Sequence, residues 1–181
     1  MNGVNRGIFR LLPVFLLLFL GVSSCSQKEE RRILVIHSYE ETYAAYPEFN
    51  RMIAGQFEKE KIDADIRTVY LDCESYWEEP ELERMRFLVD SVSRDWRPEV
   101  ILVNEDQATY SLMKCGIQLA KEVPVVFGGV NYPNWGLLKH HPNVTGFHDK
   151  IAFNENISVA KELFGEHVRL FTMLDTTYID R

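Results

Sequence analysis

The chain lacks the glycine-rich signatures of nucleotide enzymes. Its ten glycines include no GxxxxGK[ST] and no GxGxxG, and the first strand-like run ends instead in His37-Ser38-Tyr39. Familiar nicotinamide and nucleotide chemistry is therefore not expected. A GxSxG nucleophile elbow is missing too. Basic residues are scarce: 20 Lys and Arg stand against 27 Asp and Glu, for a net charge of −7. An acidic chain without a basic patch is a poor partner for nucleic acid or anionic lipid. Of only three cysteines, Cys25 lies near the N-terminus. Cys73 falls at a strand end and Cys115 inside a helix, so they suit buried thiols better than a bridge. The longest apolar run, Leu11 to Leu20, is too short to span a bilayer comfortably. Internal repeats and low-complexity segments are also absent.

That apolar run belongs to a leader. Arg6 and Arg10 precede it and Val22-Ser-Ser-Cys25 closes it, which is the layout of a secretory signal over residues 1–24. A cysteine directly after small residues resembles a bacterial lipobox. Cys25 is accordingly expected to become a lipidated N-terminus, and the protein to be exported and membrane-anchored at the periplasmic or cell-surface side. Residues 25–32 are charged and lack apolar periodicity, so they form a tether.

Strands and helices then alternate. Ile33–Ile36 forms a first strand. Pro47 suits the first turn of a helix whose apolar face is Phe49, Met52, Ile53 and Phe57. Asp63–Leu71 alternates as a strand near an edge. Pro80 opens a helix with the stripe Leu82, Met85, Val89, Val92 and Trp96. Val100–Asn104 and Val123–Asn131 are apolar runs of the kind buried on both faces of a parallel sheet. One helix, Asp106 to Glu122, joins them with Leu112, Met113, Ile117 and Ala120 inward. A loop with a short helix leads to a fifth strand, Val144–Phe147. Asn154 then caps a helix with Ile157, Ala160, Leu163 and Phe164 inward, and Val168–Leu174 is a sixth strand. This pattern predicts an α/β fold, a doubly wound parallel sheet.

Ligands on such sheets sit at the carboxyl ends of the strands. Those ends are rich in acids (Glu40, Glu41, Glu74, Glu105, Asp106, Asp149, Asp175) and aromatics (Tyr39, Tyr43, Tyr76, Trp77, Tyr132, Trp135). Some acids serve as helix caps. The mixture suits a cleft that stacks on a small polar or ring-bearing ligand. Gly128-Gly129 either brings backbone close to a ligand or makes a tight turn, since both need glycine's φ freedom. His37 and Ser38 are adjacent on a strand and point to opposite faces, which argues against a nucleophile–base pair. His140, His141 and His148 match no metal-site spacing, so no metal and no cofactor is expected.

Ile33–Tyr39, Pro98–Asp106, Val123–Asn131 and Asn143-Val-Thr-Gly146 stand in an order and spacing that resembles the ABC transporter substrate-binding protein family. The fold implied is that of type I periplasmic binding proteins, in the variant also found as the sensor region of bacterial histidine kinases. The resemblance covers about Arg32 to Asp175. It implies a flavodoxin-like or Rossmann-like first lobe over residues 33–149. Residues 150–181 would then be the crossover, first helix and first strand of a second lobe, which the chain leaves incomplete. It also implies a non-enzymatic, amino-acid-like solute-binding lipoprotein working with an ABC permease. The alternative is the periplasmic input region of a two-component sensor kinase. Mapped by position, the ligand-binding residues would be Ser38, Tyr39, Asp72, Asn104, Glu105, Asp106, Gly129, Val130, Asn131, Tyr132, His148 and Asp149.

Overall fold

The computed structural model describes residues 30–150, 152–167, 169 and 171. The leader and Cys25 lie outside the described residues, as do five of the seven residues of the expected sixth strand, Val168–Leu174. The elements, in chain order, are β1 (Arg31–His37), α1 (Tyr46–Lys59), β2 (Ala64–Tyr70), α2 (Glu78–Ser93) and β3 (Val100–Asn104). Then come α3 (Asp106–Lys114), α4 (Leu119–Glu122), β4 (Val125–Val130), α5 (Trp135–Leu138), β5 (Val144–His148) and α6 (Phe153–Phe164).

The protein is α/β, with one five-stranded, all-parallel sheet in the order β2-β1-β3-β4-β5. Every connection is a crossover, and the order reverses beside β1, between the crossover to β2 and that to β3. This is the flavodoxin-like order, whose switch point is the usual ligand crevice. β1 starts earlier than the tether reading allowed. Arg31 and Arg32 are already paired with Ala64 and Asp65, and both guanidinium groups reach Glu99.

Alternation on β1 divides the interior in two. Leu34 and Ile36 join the large core with Leu71, Met85, Val89, Ile101, Leu112 and Val125, beneath α2 and α3. Ile33, Val35 and His37 are equally buried but lie outside that cluster, and the His37 ring packs on α1. The stripe expected on α2 is there, except that Val92 is only partly buried and Trp96 lies past the helix end. Trp96 donates to Asp65 at 2.5 Å and carries the Arg67 guanidinium over its ring, which ties the chain before β3 to the edge strand.

Three helical expectations need correction. The single helix from Asp106 to Glu122 is two, because Gly116 takes φ 77° and Ile117 is left in a link between α3 and α4. On α1 the buried residue is Tyr46, with Asn50, Ile53 and Phe57 half-buried in register; Phe49 and Met52 are exposed. Tyr46 wins that face because its hydroxyl finds partners inside, as shown below. On α6 no residue is buried: Ile157, Leu163 and Phe164 are exposed and Ala160 is intermediate. Its N-cap is Ala152 rather than Asn154.

Gly146 on β5 faces Phe127 of β4 so closely that an added Cβ would lie 2.2 Å from the Phe127 carbonyl oxygen and 2.5 Å from its ring. Backbone cannot yield cheaply there. Gly146→Ala should destabilise the protein by about 2 kcal/mol or more. Gly55, exposed on α1 with open space around it, is the control: Gly55→Ala should stabilise by about 0.5–1 kcal/mol. Urea denaturation midpoints read both signs.

Candidate functional site

The site is built from the last residues of three strands. β1 ends in His37 and is followed by Ser38, whose side chains leave by opposite faces, as alternation requires. Ser38 is fully buried; its hydroxyl donates to the Asn104 carbonyl at 2.9 Å and accepts the Ala108 amide at 2.9 Å. It therefore caps α3 from a distant strand and joins the ends of β1 and β3. Its proton is spent and its oxygen is out of reach of a substrate.

His37 goes the other way. Its ring stacks on Tyr46 at 3.9 Å and on Tyr70 at 5.5 Å, with Phe49 edge-on at 5.6 Å. Its Nε2 meets Asn50 Oδ1 at 2.8 Å, and Asn50 Nδ2 donates to the Tyr70 hydroxyl at 3.2 Å. With the proton on Nε2, Nδ1 accepts from Asn104 Nδ2 at 3.4 Å. Burial pushes the His37 pKa down from 6.5, against the pull of the Asn50 hydrogen bond. The ring thus stays neutral and keeps its acceptor.

Asn104 and Glu105 leave β3 beside Gly129. Glu105 sits at φ 74°, uncommon for a non-glycine residue, and its amide donates to the Gly128 carbonyl at 2.7 Å. Gly129, at φ 68°, is where glycine is required. A Cβ there would come 3.3 Å from Asn104 Oδ1 and 3.4 Å from Glu105 Cγ. Gly129 lies within β4 rather than in a tight turn, where the register with β5 shifts between Phe127 and Val130, and the close approach it permits is to Asn104 and Glu105.

The Tyr46 hydroxyl donates to Glu105 Oε2 at 2.8 Å and accepts the Tyr39 amide at 2.9 Å. Burial raises the Glu105 pKa, the Tyr46 hydrogen bond opposes this, and the Asp106 charge adds to it. Tyr39 is pushed up to about 12 by burial and then by Glu105. Tyr39 stacks on Tyr43 with centroids 4.7 Å apart.

Tyr39, Tyr43, Tyr46, Asn104, Glu105 and Gly129 help wall a cleft of about 370 Å³ at the switch point. Of the residues expected there, the structure brings together Tyr39, Asn104, Glu105, Asp106, Gly129, Asn131 and Asp149. Asp106 borders the cleft, but its carboxylate is spent on structure. Oδ2 accepts the Asn131 amide at 3.0 Å and its side chain at 3.2 Å, and Oδ1 faces the Tyr132 amide at 3.4 Å.

The other expected positions stand outside the lining. Ser38 is buried beneath it, and Val130 is buried in the core. Asp72 turns the chain at φ 57° and accepts from Ser75. Tyr132 is exposed, while its carbonyl accepts from the Tyr110 hydroxyl at 2.5 Å. His148 is exposed, edge-on to Trp135.

Sequence reasoning missed the contribution of α1. Ala45, Tyr46 and Phe49 line the cleft, as does Gln107 of α3. Tyr43, one of the loop aromatics, lines it as well. The available signal was the Tyr-rich run from Tyr39 to Tyr46 straight after β1.

Cys73 and Cys115 are buried free thiols. Among the described residues no cluster of three or more His, Cys, Asp or Glu could hold a metal ion. No family model, curated protein or solved structure matches the chain.

The raised Glu105 pKa makes a signed prediction. Above pH 4.5 the unfolded chain ionises this carboxyl more readily than the folded one, so the folded state bears a penalty that grows through the folded pKa. Glu105→Gln should raise Tm at pH 7, and the gain should vanish as pH falls below 4.5. Thermal unfolding of both proteins across pH 4–8 checks the sign.

Proposed function

We propose that this chain is an extracytoplasmic, non-enzymatic module that binds a small amino-acid-like solute. On this reading it is held at the membrane through a lipidated Cys25 and delivers its ligand to an ABC permease. The observation that supports it best is the cleft itself. It lies at the switch point of a parallel sheet, has a volume of about 370 Å³, and combines aromatic rings with a few fixed polar groups. Its strand-end histidine and serine are both committed to internal hydrogen bonds, which favours binding over nucleophilic catalysis. In the two-lobed arrangement that the sequence resembles, a second wall would close over this face. The lipobox-like Val22–Cys25 favours uptake over the sensor-kinase alternative.

A thermal-shift screen of amino acids and related polar solutes is the direct test. A ligand should raise Tm with concentration and shift the amide resonances of Tyr39, Glu105 and Gly129. Tyr43→Ala, which removes half of the stacked pair, should weaken it about fivefold or more. A solute whose binding leaves all of these unmoved would place the site elsewhere and defeat the proposal.

The anchor is tested separately. Cys25→Ala should move the protein from the membrane fraction to the soluble extracytoplasmic fraction. Retention of the variant on membranes would rule out lipidation at Cys25 as the tether.

A further inference from the structure

The internal hydrogen bonds decide which polar groups the cleft has left to offer. Asn50 donates to Tyr70, so its carbonyl oxygen faces His37 Nε2. Neutral His37 then turns Nδ1 to Asn104, which must answer with its NH2 group. The Asn104 amide oxygen is thereby left beside Gly129, on the cleft side. A chain of four side chains thus fixes an acceptor at the cleft.

Glu105 continues the pattern. Only its Oε2 is engaged, by Tyr46, and among the described residues its carboxylate makes no ion pair. Among the described residues no Lys, Arg or His lines the cleft, whereas Asp149 adds a second carboxylate at its border. Asp106 is left out of the count because its oxygens are occupied. The rings of Tyr39 and Tyr43, stacked on one another, line the same space.

Acceptors, a carboxylate without an ion-pair partner and aromatic rings are the three kinds of group that stabilise a desolvated cation, and they disfavour an anion. We infer that the cleft selects a small organic cation, a primary ammonium or guanidinium on a flat apolar body. Glu105 and the Asn104 oxygen take the charged head, and the Tyr39–Tyr43 pair takes the body. The inference rests on the binding reading above and narrows it to one class of solute. It also gives a reason for holding Glu105 at a left-handed backbone angle beside an obligatory glycine. That geometry keeps at the cleft a carboxylate that has no ion-pair partner among the described residues.

Three probes with one body separate the possibilities: benzylamine, benzyl alcohol and benzoate, titrated into the full chain and followed by amide chemical shifts and calorimetry. Benzylamine should perturb Asn104, Glu105 and Gly129 and bind at least about tenfold more tightly than benzyl alcohol, the worth of one charge-assisted contact. Benzoate should bind more weakly still. Glu105→Gln should bring the amine-to-alcohol ratio to about one, and Tyr43→Ala should weaken both probes together. The wild-type ratio stands without any variant. If the alcohol or benzoate binds at the cleft as tightly as the amine, the cation inference falls and the solute-binding reading survives. If none of the three perturbs the cleft at millimolar concentration, the cation inference falls, and the solute-binding reading stands or falls with the amino-acid screen.

Discussion

The structure at the carboxyl edge of the sheet hangs on the parting of two side chains, His37 and Ser38. They are neighbours in sequence, yet each organises a different half of the cleft from its own face of β1. The Ser38 hydroxyl caps α3 and holds the end of β3, so the peptide that carries Asn104 and Glu105 is fixed in position. The His37 ring seats α1 through Tyr46 and Asn50, and orients the Asn104 amide. Both groups are buried, and a buried polar group left unpaired costs roughly 1–3 kcal/mol. The network therefore has one low-energy arrangement, and the cleft inherits that rigidity.

The division of labour among the acids follows from the same constraint. Asp106 and Glu105 are adjacent, but they meet different fates. Asp106, the first residue of α3 and only 5% exposed, spends its oxygens on the backbone leaving β4 and so sets the far wall. Glu105, one residue earlier and at a left-handed angle, is turned away from that backbone and into the cleft. Holding it there raises its pKa and weighs against stability at neutral pH.

Much of the fold was legible in the sequence. The bounds of β3 were readable from Val100–Asn104, and the edge position of β2 from its mixed faces. The break at Gly116 and the true inward face of α1 were not. The first depends on a single residue taking positive φ inside an otherwise helical pattern. The second depends on a tyrosine hydroxyl finding a carboxylate 59 residues away, which a hydrophobic-face argument discounts in favour of Phe49 and Met52.

Local pattern, then, determined the five strands of the parallel sheet and the expectation that strand ends carry the chemistry. Period and punctuation are local properties, and a buried parallel strand announces itself by composition. Tertiary structure alone decided which strand-end residues face a common space. Ser38, Asp72, Val130, Tyr132 and His148 hold strand-end positions no less than Tyr39 or Glu105, yet they turn into the core, into a tight turn or out to solvent. The direction of a side chain past a strand end depends on the backbone angle of one residue and on hydrogen bonds to distant elements. No spacing along the chain encodes either.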